Sequence, residues 1–378
     1  MRYQRTLGNL PSHDDIHSAS ASPKNTETMT SQQKIEEILK RQHQNDEEGA
    51  ENSLYELRLE ILRGGCPPKL RGSAWKLLLR LTNVSSSCYV NLVHRGPSPM
   101  DSKIRNDTFR TMTTDASFIE HVSEDMLIRV LNAFVWISRQ ERVGDTSEEL
   151  QLRSLFRSWY STPGELTYVQ GMNVLVAPFL TTMTEMEAFF AFSTFIWKWC
   201  PVYVEHTLRG VHCGLRLLDL CLQSLDPMLY GYLRGRGLTA NMYACASVLT
   251  FSACTPPLSE LLQLWDLMLA CGTHLNILFI IAQLALIRKE LMDCSSPMKI
   301  LRKLPNLQAQ PIIKIALASC KKLPPDLYDK LVRHAYDETV SDCLGVQLAA
   351  GSSSMQDDCT TVPPYIAEAA GYTTNDCA

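Results

Sequence analysis

Two short segments carry the residues whose types and spacing could do chemistry. KIRNDTFRTM (103–112) presents Ile104, Asp107 and Arg110 as IxxDxxR, and LTYVQGMN (166–173) presents Tyr168, Gln170, Gly171 and Met172 as YxQGM. A guanidinium is a permanent cation whose forked donors suit the charge on a transferring phosphoryl group, and a glutamine amide can orient an attacking water. Neither group has to change protonation state. An Arg and a Gln held on separate, firmly packed segments are what a protein needs to complete a slow GTPase site on a partner. An arginine supplied in this way is worth roughly 10³–10⁵ in rate.

Each residue taken alone has a plainer reading. Arg110 can be a helix-surface arginine paired with Asp107 three residues earlier. Gln170 can be an amide that satisfies loop backbone groups between Tyr168 and Gly171. Trp75, four residues after Arg71 in RGSAWKLLL (71–79), is most simply a core aromatic with the arginine on or beside it.

Other chemistries find no support in the sequence. No GxxxxGK[ST] occurs, so the chain is not expected to bind nucleotide by itself. GxSxG and HExxH are absent, and the nine histidines lie apart from acids at ligand spacing, so neither a metal nor a cofactor is expected. The thirteen cysteines form no CxxC pair and read as reduced, mostly buried small hydrophobes. A net charge of -4 and a pI near 6.2 argue against broad nucleic-acid binding. Charge is unevenly spread: residues 334–378 hold seven acids (Asp337, Glu338, Asp342, Asp357, Asp358, Glu368, Asp376) and no Lys or Arg. A basic cluster, Arg288, Lys289, Lys299, Arg302 and Lys303, reads as a solvated face, with GTPase docking or a membrane surface as the sharper alternative. Ser22-Pro23-Lys24 matches a proline-directed phosphorylation site.

The elements that must position the two segments are helical. Residues 1–30 are rich in Ser, Thr, Asn, His and Asp, and read as disordered. Residues 31–65 read as two N-terminal helices that end at Gly64-Gly65 before Pro67-Pro68. Long helical patterns follow at 69–80, 124–138, 147–160, 184–199, 211–224, 227–235, 257–270, 273–291 and 324–335. Alternating strand patterns are nearly absent, so the expected class is all-α, with residues 66–336 as the main domain and 337–378 as an acidic flexible tail. The most apolar stretches, VLVAPFL (174–180) and ILFIIAQLALI (277–287), are too short to span a membrane, and the N-terminus shows no apolar signal segment. A cytoplasmic protein is expected.

The three motifs occur in order in one all-α chain: RxxxWxxLL at 71–79, IxxDxxR and YxQGM. Together they resemble the TBC (Tre–Bub–Cdc) domain of GTPase-activating proteins for Rab and related small GTPases. Stretches such as EDMLIRVLNAFVWI, YVQGMNVLVAPFL and SPMKILRKLP are similar to the Bub-type members of the fungal mitotic-exit and septation checkpoint. The resemblance implies one two-lobed helical domain in which Arg110 is the arginine finger and Gln170 the glutamine finger. It implies that Asp107 holds the finger arginine, and that Arg71, Trp75, Tyr168 and Gly171 support the finger-bearing region. Pro163 stands where the family commonly has Ser, and Val169 replaces its usual Cys; neither departure removes a finger. The implied partners are a small Ras/Rab-like GTPase in its GTP form and a scaffold subunit of a two-component GAP. The implied output is restraint of mitotic exit or cytokinesis from the spindle pole, under the spindle-position checkpoint. No independent active site follows, because the hydrolysed GTP sits on the partner. The alternative is a non-catalytic TBC module that recruits a GTPase or scaffold at the pole.

Overall fold

The computed structural model describes residues 29–346 apart from 42–46, 82–83, 110, 112–114, 141–143 and 161–165. Among the described residues every regular element is helical, as the sequence pattern predicts. Polar residues start many of the helices by accepting a bond from a free N-terminal amide. Thr146 opens α8 (Ser147–Trp159) and Thr184 opens α10 (Glu185–Thr194), each in a capping box with the glutamate three residues on. Ser123 opens α7 (Glu124–Ser138), and Asp226 precedes Pro227 at the start of α12 (Pro227–Gly235).

The first lobe is built around α7. Packed on it are α4 (Ser86–His94), α5 (Asp101–Thr108), α8, α9 (Met172–Leu180) and α10. α7 buries Leu127, Val130, Leu131, Phe134, Val135 and Ile137. In the second lobe, α11 (Arg209–Leu225) packs against α12, α13 (Ala240–Tyr243), α14 (Cys245–Leu249) and α16 (Leu275–Leu286). α16 is buried continuously from Leu275 to Leu284, the signature of a central helix, and lies against α19 (Ala309–Cys320). The lobes meet where α15 (Leu258–Cys271) contacts α2 (Glu47–Gly64) and α3 (Arg71–Leu79). An aromatic column continues the junction. Trp75 lies 5.6 Å from Phe179, which is 5.5 Å from Trp265, and Trp265 stacks on Phe195 at 5.6 Å. α1 (Ser31–Arg41) packs on α2 and α3.

The chain stays packed beyond Asp337, where the composition suggested a tail would begin. Glu338 receives the Tyr160 hydroxyl at 2.7 Å and the Arg209 guanidinium at 3.0 Å. Thr339–Cys343 then forms α21, with Val340 fully buried. The acids of this stretch are thus in part ion-pairing groups of the fold. Residues 1–28 and 347–378, including Ser22-Pro23, lie outside the described residues. No described helix is long and apolar enough to cross a membrane.

Candidate functional site

α5 owes its orientation to three apolar-facing positions. Ile104, Asp107 and Thr108 are buried, while Lys103, Arg105 and Asn106 face solvent. This i, i+3, i+4 pattern lays the helix on α7 and sends its C-terminal end toward the second motif. The helix stops at Thr108. Phe109 is 57% exposed and Thr111 is buried again. Arg110, between them, lies outside the described residues, and with it the expected Asp107–Arg110 bond.

Asp107 itself accepts the Tyr168 hydroxyl at 2.6 Å, which joins the IxxDxxR and YxQGM segments directly. An O–H···O bond of this length between two buried groups is a short one. Gln170 is half-buried in the turn just before α9. Gly171 makes that turn with φ +102°, a conformation that L side chains rarely adopt. Its N–H donates to Asn173 Oδ1 at 3.1 Å. The Asn173 amide then reaches the first motif, donating to Thr111 Oγ1 at 2.9 Å and to the Asp107 carbonyl at 3.3 Å.

Arg71 and Trp75 converge elsewhere, on Asp266 of α15. Arg71 Nε and Nη2 each donate to the carboxylate at 2.9 Å, and the Trp75 indole N–H donates at 2.7 Å. Burial pushes the Asp266 carboxyl up to about 6, against the pull of these three donors. The structure thus gives Arg71 and Trp75 a role at the lobe junction. Their link to Gln170 runs through the contact of Trp75 with Phe179 on α9, the helix that follows the Gln.

Two functional candidates were missed by sequence reasoning. Asp266 carried a usable signal: the lone acid inside LLQLWDLMLAC (261–271) must find partners if that run is buried. Asn173 carried only its place directly after YxQGM. A groove of about 820 Å³ lies among Gly64, Arg71, Asp115, Thr182, Leu258 and Gln310, and neither Asp107 nor Gln170 lines it. Among the described residues no group of His, Cys, Asp or Glu could hold a metal ion. Of the basic cluster, Arg288 pairs with Asp226 at 2.6 Å, and Lys289, Lys299, Arg302 and Lys303 are exposed, as a solvated face requires.

Comparison with known proteins places this arrangement. Residues 68–292 match the Rab-GTPase-TBC domain family. Cell division control protein 16 of Schizosaccharomyces pombe is 44% identical over 268 residues, 71% of this chain and 81% of that protein. Mitotic check point protein BUB2 of Saccharomyces cerevisiae is 36% identical over 300 residues, 76% of this chain and 94% of that one. The crystal structure of the Ypt/Rab-GAP domain of Gyp1p superposes with a TM-score of 0.55 at 16% identity, covering 76% of this chain and 96% of that one, which is a likeness of fold. The family match spans both polar motifs and the buried Arg71–Trp75–Asp266 junction, and the chain belongs to the Rab-GTPase-TBC domain family.

Proposed function

We propose that this protein is a GTPase-activating protein that supplies Arg110 and Gln170 to GTP bound on a small Ras/Rab-like GTPase. Water attacks the γ-phosphorus, and the bond to the β–γ bridging oxygen breaks. Arg110 counters the charge on the transferring phosphoryl oxygens, while Gln170 orients the water. Asp107 and Tyr168 hold the two segments in register, and Gly171 shapes the turn that presents the Gln. The cellular reading is restraint of mitotic exit or cytokinesis from the spindle pole, with a scaffold subunit as second component. It draws on the relatives named as a cell division control protein and a mitotic check point protein.

One observation carries the reading. Two polar segments more than fifty residues apart are bonded to each other through Asp107, Tyr168 and Asn173, next to the positions that would act on GTP. Preorganisation of this kind is what a finger pair requires, because each contributes only when placed at the γ-phosphate.

Single-turnover hydrolysis on a GTPase that the protein demonstrably binds tests the proposal. Arg110→Ala should remove most of the acceleration while leaving GTPase affinity nearly unchanged, since the guanidinium acts on charge that develops in the transition state. Arg110→Lys should restore little, because an ammonium lacks the planar fork. Gln170→Ala should also be severe, and the two losses should combine less than additively. Wild-type rates for Arg110→Ala would leave only the recruiting module.

A further inference from the structure

We infer that Asn173 is a positioning residue that couples the two finger segments into one unit, so that neither the Arg nor the Gln is placed independently. The inference rests on the finger reading above and adds to it the group that sets their mutual geometry.

A primary amide offers two donors and one acceptor, and here all three are used across two segments. Its Nδ2 donates to Thr111 Oγ1 at 2.9 Å and to the Asp107 carbonyl at 3.3 Å, which brackets position 110 from both sides. Its Oδ1 accepts the Gly171 N–H at 3.1 Å, directly after position 170. The amide orientation follows from its neighbours. Reversed, the NH₂ would face the Gly171 N–H, and the oxygen would face the Asp107 carbonyl. The Thr111 hydroxyl, having accepted from Asn173, donates to the same Asp107 carbonyl at 3.1 Å. Tyr168 has one proton and gives it to Asp107 Oδ2 at 2.6 Å, closing the loop of bonds.

Asn173 is 1% exposed and Asp107 and Thr111 are 6% exposed, so water cannot substitute for a lost partner. In such surroundings a satisfied network is rigid and a cut one leaves stranded donors. Asparagine is specific here. Aspartate would keep the Gly171 bond but lose both donors and set a charge against the Asp107 carbonyl. Alanine would lose all three contacts. Asn173 reaches GTP through no contact of its own, so its effect must appear in the placement of its neighbours.

The experiment is single-turnover hydrolysis of GTP on a bound GTPase over a range of activator concentration, which separates maximal rate from half-saturating concentration. The full-length protein carries Asn173→Ala, or Thr111→Val, which preserves shape and removes the hydroxyl that accepts from Asn173 and donates to the Asp107 carbonyl. Arg110→Ala is run alongside, with the double variant Arg110→Ala/Asn173→Ala. Misplacement of a reacting group by about 1 Å can cost ~10²-fold, so both coupling variants should lower the maximal rate by about 10- to 100-fold and leave half-saturation within about threefold. The double variant should lose far less than the product of the single losses. If Asn173→Ala does not fold, Thr111→Val decides. A wild-type maximal rate for folded Asn173→Ala and for Thr111→Val, with Arg110→Ala inactive, overturns the coupling and leaves the fingers standing. A wild-type rate for Arg110→Ala overturns both.

Discussion

Asp266 is 1% exposed at its side chain, and a carboxylate so placed is tolerated only because Arg71 and Trp75 satisfy it. Removing either side strands the other. Asp266→Ala should therefore cost on the order of 3–5 kcal/mol by leaving the Arg71 guanidinium buried and uncompensated. Trp75→Ala should cost a similar ~3–5 kcal/mol, because the indole is fully buried between Phe179 and Trp265. Urea midpoints of the two variants measure this directly. Loss of GTPase stimulation in either should track loss of folded protein. A stable Trp75→Ala protein without activity would instead mean that the indole positions α9 and the turn before it.

At the scale of elements, the turn into α9 is where stability and function separate. A Cβ on Gly171 would touch Leu249 Cδ2 and Thr250 Cγ2 at 3.4 Å, and the φ of +102° is strained for any L side chain. Gly171→Ala should cost about 1–3 kcal/mol, since those contacts are ordinary and the cost lies in the strained φ. Its effect on hydrolysis should be much larger than that loss implies, because relaxing the turn moves Gln170. Thermal denaturation and single-turnover rates of the same preparation would show the divergence; parallel losses would mean the turn matters only for folding. The capping boxes give the opposite case. Thr146→Ala removes the cap of α8 far from both motifs in sequence, and should cost about 0.5–2 kcal/mol with hydrolysis by the folded fraction unchanged.

For the whole molecule, two buried histidines weigh against stability in acid. Burial pushes His334 down to about 4 and His274 down to about 3, from an ordinary value of 6.5. These two side chains thus bind fewer protons in the folded state than in the unfolded one below about pH 6.5, so their contribution to stability is complete above that pH and is lost as pH falls toward 4. Asp266, Glu205 and Asp219, raised by burial, act in the opposite sense and offset part of it. The comparison that isolates the histidine is His334→Gln against wild type. Between pH 6.5 and 4.5 the variant should lose stability less steeply in urea titrations, and identical slopes would refute the assignment. Chain ends give a second test. Ending the chain at Tyr336 removes Glu338 and the buried Val340 and should lower the thermal midpoint. Ending it after Val346 should not.

The all-α class and the two polar motifs were legible in the chain, because helix periodicity, turn residues and motif spacing are local properties. Helices α9 and α19 were not read as such, since Pro178 and Pro311 interrupt their patterns. Pro311 is tolerated in the first turn of α19, where an amide would lack a helical partner anyway. α9 keeps its proline as a fully buried helix held by packing on both lobes' aromatic column. The candidate finger positions were named through the family resemblance that the three ordered motifs carry. What only the tertiary structure decided is which partners the supporting groups take, and that Asn173 and Asp266 are among them. That Asp107 bonds Tyr168, that Asn173 spans Thr111 and Gly171, and that Arg71 reaches Asp266 almost two hundred residues away depends on how whole helices cross. Sequence spacing encodes neighbours within a turn of helix; a buried hydrogen bond between distant segments is chosen by the packing of the surfaces that bring them together.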